Sequence, residues 1–123
     1  MRQVKSLNSA KIIYLERKKI IDELKRIALN IKKEEKDNLK DVILFGSLSR
    51  EDFTGLSDVD IVIILKKSKD NPLDRIRRFR KYFFIDIDVD LFVYTEDEFL
   101  DMLKKGNDFA RIVKEEGISL LNE

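Results

Sequence analysis

The segment Asp58-Val59-Asp60-Ile61-Val62-Ile63-Ile64-Leu65 constrains this chain more than any other. From Ile61 to Leu65 every residue is apolar and most are β-branched. A strand with one wet face alternates polar and apolar residues, so an unbroken apolar run predicts a central strand covered on both sides. Aspartate is disfavoured in strands, yet two aspartates open this one. At i and i+2 their carboxylates project from the same side of the pleat. Two neighbouring carboxylates repel, and burying them unpaired is costly. A hard divalent cation resolves both problems, with a phosphate as its further ligand.

Just upstream lies a second apolar run that ends in a tight turn, Leu44-Phe45-Gly46-Ser47-Leu48-Ser49-Arg50. Gly-Ser, a short polar loop and then Asp-x-Asp form a pattern that resembles the nucleotidyltransferase superfamily related to DNA polymerase beta. The likeness is greatest to its minimal members of the antitoxin type and covers roughly residues 42–98. Gly46, Ser47, Arg50, Ser57, Asp58 and Asp60 stand where that pattern places them; Glu51 departs from it, since many members carry Gly after the Arg.

The resemblance implies transfer of NMP, with AMP from ATP the expected case, to an acceptor hydroxyl. Negative charge on the triphosphate must then be neutralised and the reactants positioned. Asp58 and Asp60 are expected to bind the cation, and a third carboxylate to complete the site. Gly46 would let the backbone approach the phosphates, as a residue without Cβ can. The Ser47 hydroxyl would donate to a phosphate, Arg50 would add a bidentate contact, and Ser57 belongs to the same nucleotide-binding set. The third carboxylate has more than one candidate. Asp86, Asp88 and Asp90 alternate with apolar residues on one predicted strand. Asp90, followed by Leu91-Phe92-Val93-Tyr94-Thr95-Glu96, fits the family pattern best. Asp88 is the alternative, and Asp86 is placed at the solvated end.

Composition narrows the chemistry. The chain of 123 residues has no Cys and no His. Thiolate sites, disulfides and the commonest transition-metal ligand are therefore excluded. Any metal must be held by oxygen, which points to magnesium or manganese. Apolar residues make up 43% and charged residues 40%, a globular balance, and the formal net charge is only +1. No global field draws the protein to nucleic acid or to a membrane. No apolar run approaches the roughly 18 residues of a membrane span, and the N-terminus lacks a signal-peptide pattern. A cytoplasmic protein is the expectation.

The length predicts one domain over residues 1–123, which the resemblance implies is a nucleotidyltransferase domain. Residues 1–10 are expected to be loosely ordered. A helix follows over residues 11–36, its apolar stripe carried by Ile20, Leu24, Ile27 and Ile31. Strands are expected over 42–45 and 58–65. Asn71-Pro72 should open a helix with Leu73, Ile76, Phe79 and Phe83 on its apolar face. A third strand is expected over 85–94. Thr95-Glu96-Asp97-Glu98 is a capping box for a helix to about Lys105. A last helix should start at Asn107 or Asp108 and stop at Gly117, before a short strand over 118–121. The fold class is α/β: a small mixed β-sheet flanked by helices, which agrees with the polymerase beta-like fold that the resemblance implies.

Two features bear on partners. Arg75, Arg77, Arg78, Arg80 and Lys81 form a basic cluster, read as a solvated helix face or as a docking surface for an acidic partner. The long first helix suits core packing or a homo-oligomer surface. The cluster is not read as a base-stacking surface, and nucleic acid is not the expected partner. The resemblance implies a small helical HEPN-type protein as partner, with NTP as substrate. Its rival is a non-catalytic antitoxin that acts by contact alone.

Overall fold

The protein was analysed as a computed structural model, which describes residues 2–46, 49 and 59–121, with side chains from residue 16 onward. The first helix, α1 (Arg2–Glu35), passes through a 3-10 turn (Lys36–Asn38) into strand β1 (Leu39–Phe45). Strand β2 (Val59–Leu65), helix α2 (Pro72–Arg80) and strand β3 (Val89–Thr95) follow, then α3 (Glu96–Lys104), α4 (Asp108–Glu116) and the short β4 (Ile118–Ser119). The sheet order is β3-β2-β1-β4. β1 runs antiparallel to both β2 and β4, whereas β2 and β3 are parallel. The sheet is therefore mixed, and α2 supplies the crossover that a parallel pair requires.

β2 is central and covered on both faces. Ile61, Ile63 and Leu65 face one core, together with Leu24, Ala28 and Ile31 of α1 and Phe79 of α2. Val62 and Ile64 face the other, with Val113 of α4 and Phe99 of α3. The alternation of a strand divides these residues, and helices on both sides explain why no position from Ile61 to Leu65 is polar.

Local signals set most helix ends. The Asn71 side chain accepts from the Asp74 amide, with Pro72 at the first position of α2. The capping box at α3 is complete: Thr95 Oγ1 accepts from the Glu98 amide at 3.2 Å, and Glu98 Oε1 accepts from the Thr95 amide at 2.8 Å. Asn107 caps α4, and Gly117 ends it.

Three expectations are corrected. α1 begins at Arg2 rather than Lys11; neither Gly nor Pro occurs between Arg2 and Glu35 to interrupt it. Leu73, expected on the apolar face of α2, stands in solvent, because only Ile76 and Phe79 lie on the stripe that meets the sheet. Lastly, the third strand begins at Val89, not Ile85. Its pairing with β2 starts at Val59↔Val89, and Ile85 and Ile87 pack against the α1 core as an irregular approach to the strand. Asp86 and Asp88 consequently do not share a strand face with Asp90.

Candidate active site

Three segments meet at one end of the sheet: the end of β1 and the starts of β2 and β3. Phe45, the last residue of β1, is paired with Asp60. Asp60 is in turn paired with Asp90 across the parallel strands. Residues in register on adjacent strands lie about 4.8 Å apart and point to the same face. That face is the one bearing Val62 and Phe92, toward α3 and α4. Asp60 is half-buried and Asp90 exposed. Behind them stands an aromatic wall, in which the Phe109 ring lies 5.3 Å from Phe45 and 4.9 Å from Phe92. It gives the half-buried carboxylate an apolar backing.

Gly46 follows Phe45 with φ +82°, in the left-handed region that favours glycine. A Cβ built on it would collide with the Asp60 carboxylate, lying 3.3 Å from Cγ and closer still to Oδ2. The backbone at Gly46 therefore reaches the carboxylate only because no side chain intervenes. Both the amide and the hydroxyl of Ser49 donate to the Gly46 carbonyl, at 3.1 and 2.8 Å. These two bonds bring Ser49 back against Gly46.

The expected site residues divide into groups. Gly46, Asp60 and Asp90 are brought together. Ser47, Arg50, Ser57 and Asp58, with the variant position Glu51, lie outside the described residues. Among the described residues no three acidic side chains stand close enough to hold a metal ion by themselves. Asp88 and Asp86 are exposed and precede β3; the Asp88 carbonyl accepts from the Val59 amide at 2.9 Å. Of the two candidates for a third carboxylate, Asp90 is the one in register with Asp60. The described donors fit a hard cation: their charged ligand atoms are carboxylate oxygens, and the glycine leaves space directly at one of them.

The basic cluster is largely exposed, but its members differ in their partners. Arg75 is buried at 6% exposure and makes a bidentate pair with Glu98, Nη1 to Oε1 at 2.6 Å and Nη2 to Oε2 at 3.2 Å. Its Nε donates to the Asp70 carbonyl at 3.0 Å. Arg78 pairs with Glu35 of α1 and with Asp70, and Arg77 with Asp74. The expectation of one solvated face is therefore corrected at Arg75 alone; Arg77, Arg78, Arg80 and Lys81 are exposed. Arg75 stands one turn before the buried Phe79; that i, i+4 relation is the signal in the sequence for its burial. The Arg75 guanidinium, with help from the Thr95 amide, holds the Glu98 carboxyl below its ordinary range despite partial burial. Burial, and then the Glu98 charge, push the Tyr94 phenol up. These perturbed groups sit at the far end of β3 from Asp90. A groove of about 550 Å³ also lies toward that end of the α3/α4 face, lined by Asp41, Ile64, Phe99, Leu103, Val113 and Ser119 among others. It adjoins the end of β2 rather than the carboxylates.

No curated protein matches the chain. Among solved structures, the chain is similar to a candidate nucleotidyltransferase from Sulfolobus solfataricus, at 24% identity with a TM-score of 0.62, over 87% of this chain and 84% of that one. It is also similar to a mutant of the toxin-antitoxin pair MntA-HpeT, at 17% identity with a TM-score of 0.50, over 80% of this chain and 73% of that one. Both likenesses concern the fold. The family model described as Nucleotidyltransferase domain matches residues 24–86, just over half the chain and inclusive of the turn at Gly46 and of Asp60, and the protein accordingly belongs to the nucleotidyltransferase domain family.

Proposed function

We propose that the protein is a metal-dependent nucleotidyltransferase that moves AMP from ATP onto a hydroxyl of a partner protein. The observation that carries this reading is the in-register pair Asp60 and Asp90 beside the side-chain-free turn at Gly46. Asp58, Asp60 and Asp90 are assigned to hold magnesium or manganese, which would neutralise charge on the triphosphate. Gly46, Ser47, Arg50 and Ser57 are assigned to the nucleotide. The backbone at Gly46 leaves space for phosphate oxygens, to which Ser47, Ser57 and Arg50 would donate. In the transfer, the acceptor oxygen forms a bond to the α-phosphorus while the bond from that phosphorus to the bridging oxygen breaks. Pyrophosphate leaves, and the hydroxyl proton passes to a carboxylate oxygen of Asp90, the exposed member of the pair.

The fold is shared with a chain of a toxin-antitoxin pair, which supports a partner protein as the bearer of the acceptor; a small helical HEPN-type protein is assigned to that role. The test is mass spectrometry of candidate partners after incubation with magnesium and each NTP. An AMP adduct is expected with the wild type, and its loss with Asp60→Asn and Asp90→Asn, while Asp86→Asn retains it. Tight partner binding without an adduct from any NTP, unchanged by those substitutions, would establish the contact-only antitoxin instead.

A further inference from the structure

Arg80 differs from its neighbours on α2. Arg75, Arg77 and Arg78 are each engaged with a carboxylate. Arg80 faces no carboxylate among the described residues; its Nη1 donates to the Val89 carbonyl at 3.2 Å. Val89 immediately precedes Asp90. The target is informative, because β3 is an edge strand. The pairing Val59↔Val89, with the Val59 amide donating to the Asp88 carbonyl, turns the amides and carbonyls of Asp88 and Asp90 toward β2. It leaves those of Val89 pointing outward, to the open side of the sheet. An outward carbonyl on an edge is ordinarily left to water; here a guanidinium from the crossover helix takes it.

Residues 85–87 ahead of the strand are bends, not ladder. The start of β3 is therefore held between two bonds from opposite sides. β2 grips the Asp88 carbonyl, and α2 grips the Val89 carbonyl through a charged donor, the stronger kind of hydrogen bond. Strand ends fray first, and Asp90 is the next residue in.

Resting on the reading of Asp90 as a metal ligand, we propose that Arg80 is a positioning residue for Asp90, clamping the edge of β3 so that its carboxylate stays in register with Asp60. The clamp acts through the backbone, so its loss weakens metal binding and turnover without changing nucleotide affinity at saturating metal.

The test compares wild type, Arg80→Met, Arg80→Lys and Asp90→Asn. Binding of manganese is followed by loss of the free-ion paramagnetic resonance signal, alongside kcat, KM for the nucleotide and the thermal midpoint. Arg80→Met keeps the apolar stem and removes every donor. It is expected to raise the manganese dissociation constant by roughly 10-fold, as loss of a group that orients a ligand does. kcat should fall with it, while KM for nucleotide at saturating metal and the thermal midpoint stay near wild type. Arg80→Lys, which keeps a charged donor and is the less disruptive variant, should recover most of the loss. Wild-type manganese affinity in Arg80→Met overturns the proposal alone. So does a rise in nucleotide KM with metal affinity intact, which would place Arg80 on the triphosphate. If wild type and Asp90→Asn bind manganese equally weakly, the reading of the carboxylate pair fails and takes the clamp with it.

Discussion

Replacing Gly46 by Ala separates two costs that a glycine can conceal, because the chain carries its own control. Gly46 and Gly106 both have φ in the left-handed region, +82° and +74°. A Cβ at Gly106 meets nothing within 4 Å, whereas at Gly46 it collides with the Asp60 carboxylate. Gly106→Ala should therefore cost only the backbone term, about 1–2 kcal/mol. Gly46→Ala should cost that amount plus the displacement of Asp60 from its rotamer, ~0.5–1.5 kcal/mol more. Denaturant midpoints combined with a common slope measure both. Function should separate the variants further. Moving a reacting group by ~1 Å can cost on the order of 100-fold in rate, so Gly46→Ala should lose manganese binding and transfer while Gly106→Ala retains them. The double variant Gly46→Ala/Asp60→Ala should be less destabilised than the sum of its single changes, since it removes one side of the collision. Equal stability costs for the two glycines, with metal binding intact in both, would refute the claim that Gly46 is required by proximity to Asp60.

Three further predictions concern stability. Arg75→Met should cost about 1–2 kcal/mol rather than the ~3–5 of a broken pair with both charges buried, because Glu98 retains 44% side-chain exposure and can rehydrate; a loss above about 3 kcal/mol in urea would show the pair to be more dry than its exposure indicates. The lowered Glu98 pKa means that its stabilisation is complete above the unfolded carboxylate range and is lost as pH falls through the depressed folded value. The stability gap between wild type and Glu98→Gln should therefore shrink below about pH 4, and a gap that widens there would reverse the sign. Lys36 sits at φ +55° in the turn between α1 and β1, so Lys36→Gly should raise stability by roughly 0.5–1 kcal/mol; a thermal midpoint lowered by this change would show that the lysine contributes more than its backbone strain costs.

Much of the fold follows from local patterns. The unbroken apolar run of β2, the Asn-Pro opening of α2, the capping box at Thr95 and the stop at Gly117 each act within a few residues. Their physical causes are pleat alternation, a preset φ, satisfied end amides and the entropic cost of continuing a helix through glycine. The strong candidates for chemistry were local too: a glycine turn after one apolar run and paired aspartates before another mark where a strand end can meet a charged ligand.

Tertiary structure decided what depends on pairing and on partners distant in the chain. Alternation alone put Asp86, Asp88 and Asp90 on one face, and the family resemblance favoured Asp90; the ladder with β2, which begins at Val59↔Val89, is what sets Asp90 in register with Asp60. The five cations from Arg75 to Lys81 looked alike in sequence, yet Glu98, Glu35 and the Val89 carbonyl give Arg75, Arg78 and Arg80 different environments. A side chain's periodicity states which face of its own element it occupies. What that face meets is set by strand register and helix packing, through contacts between residues tens of positions apart that no local pattern encodes.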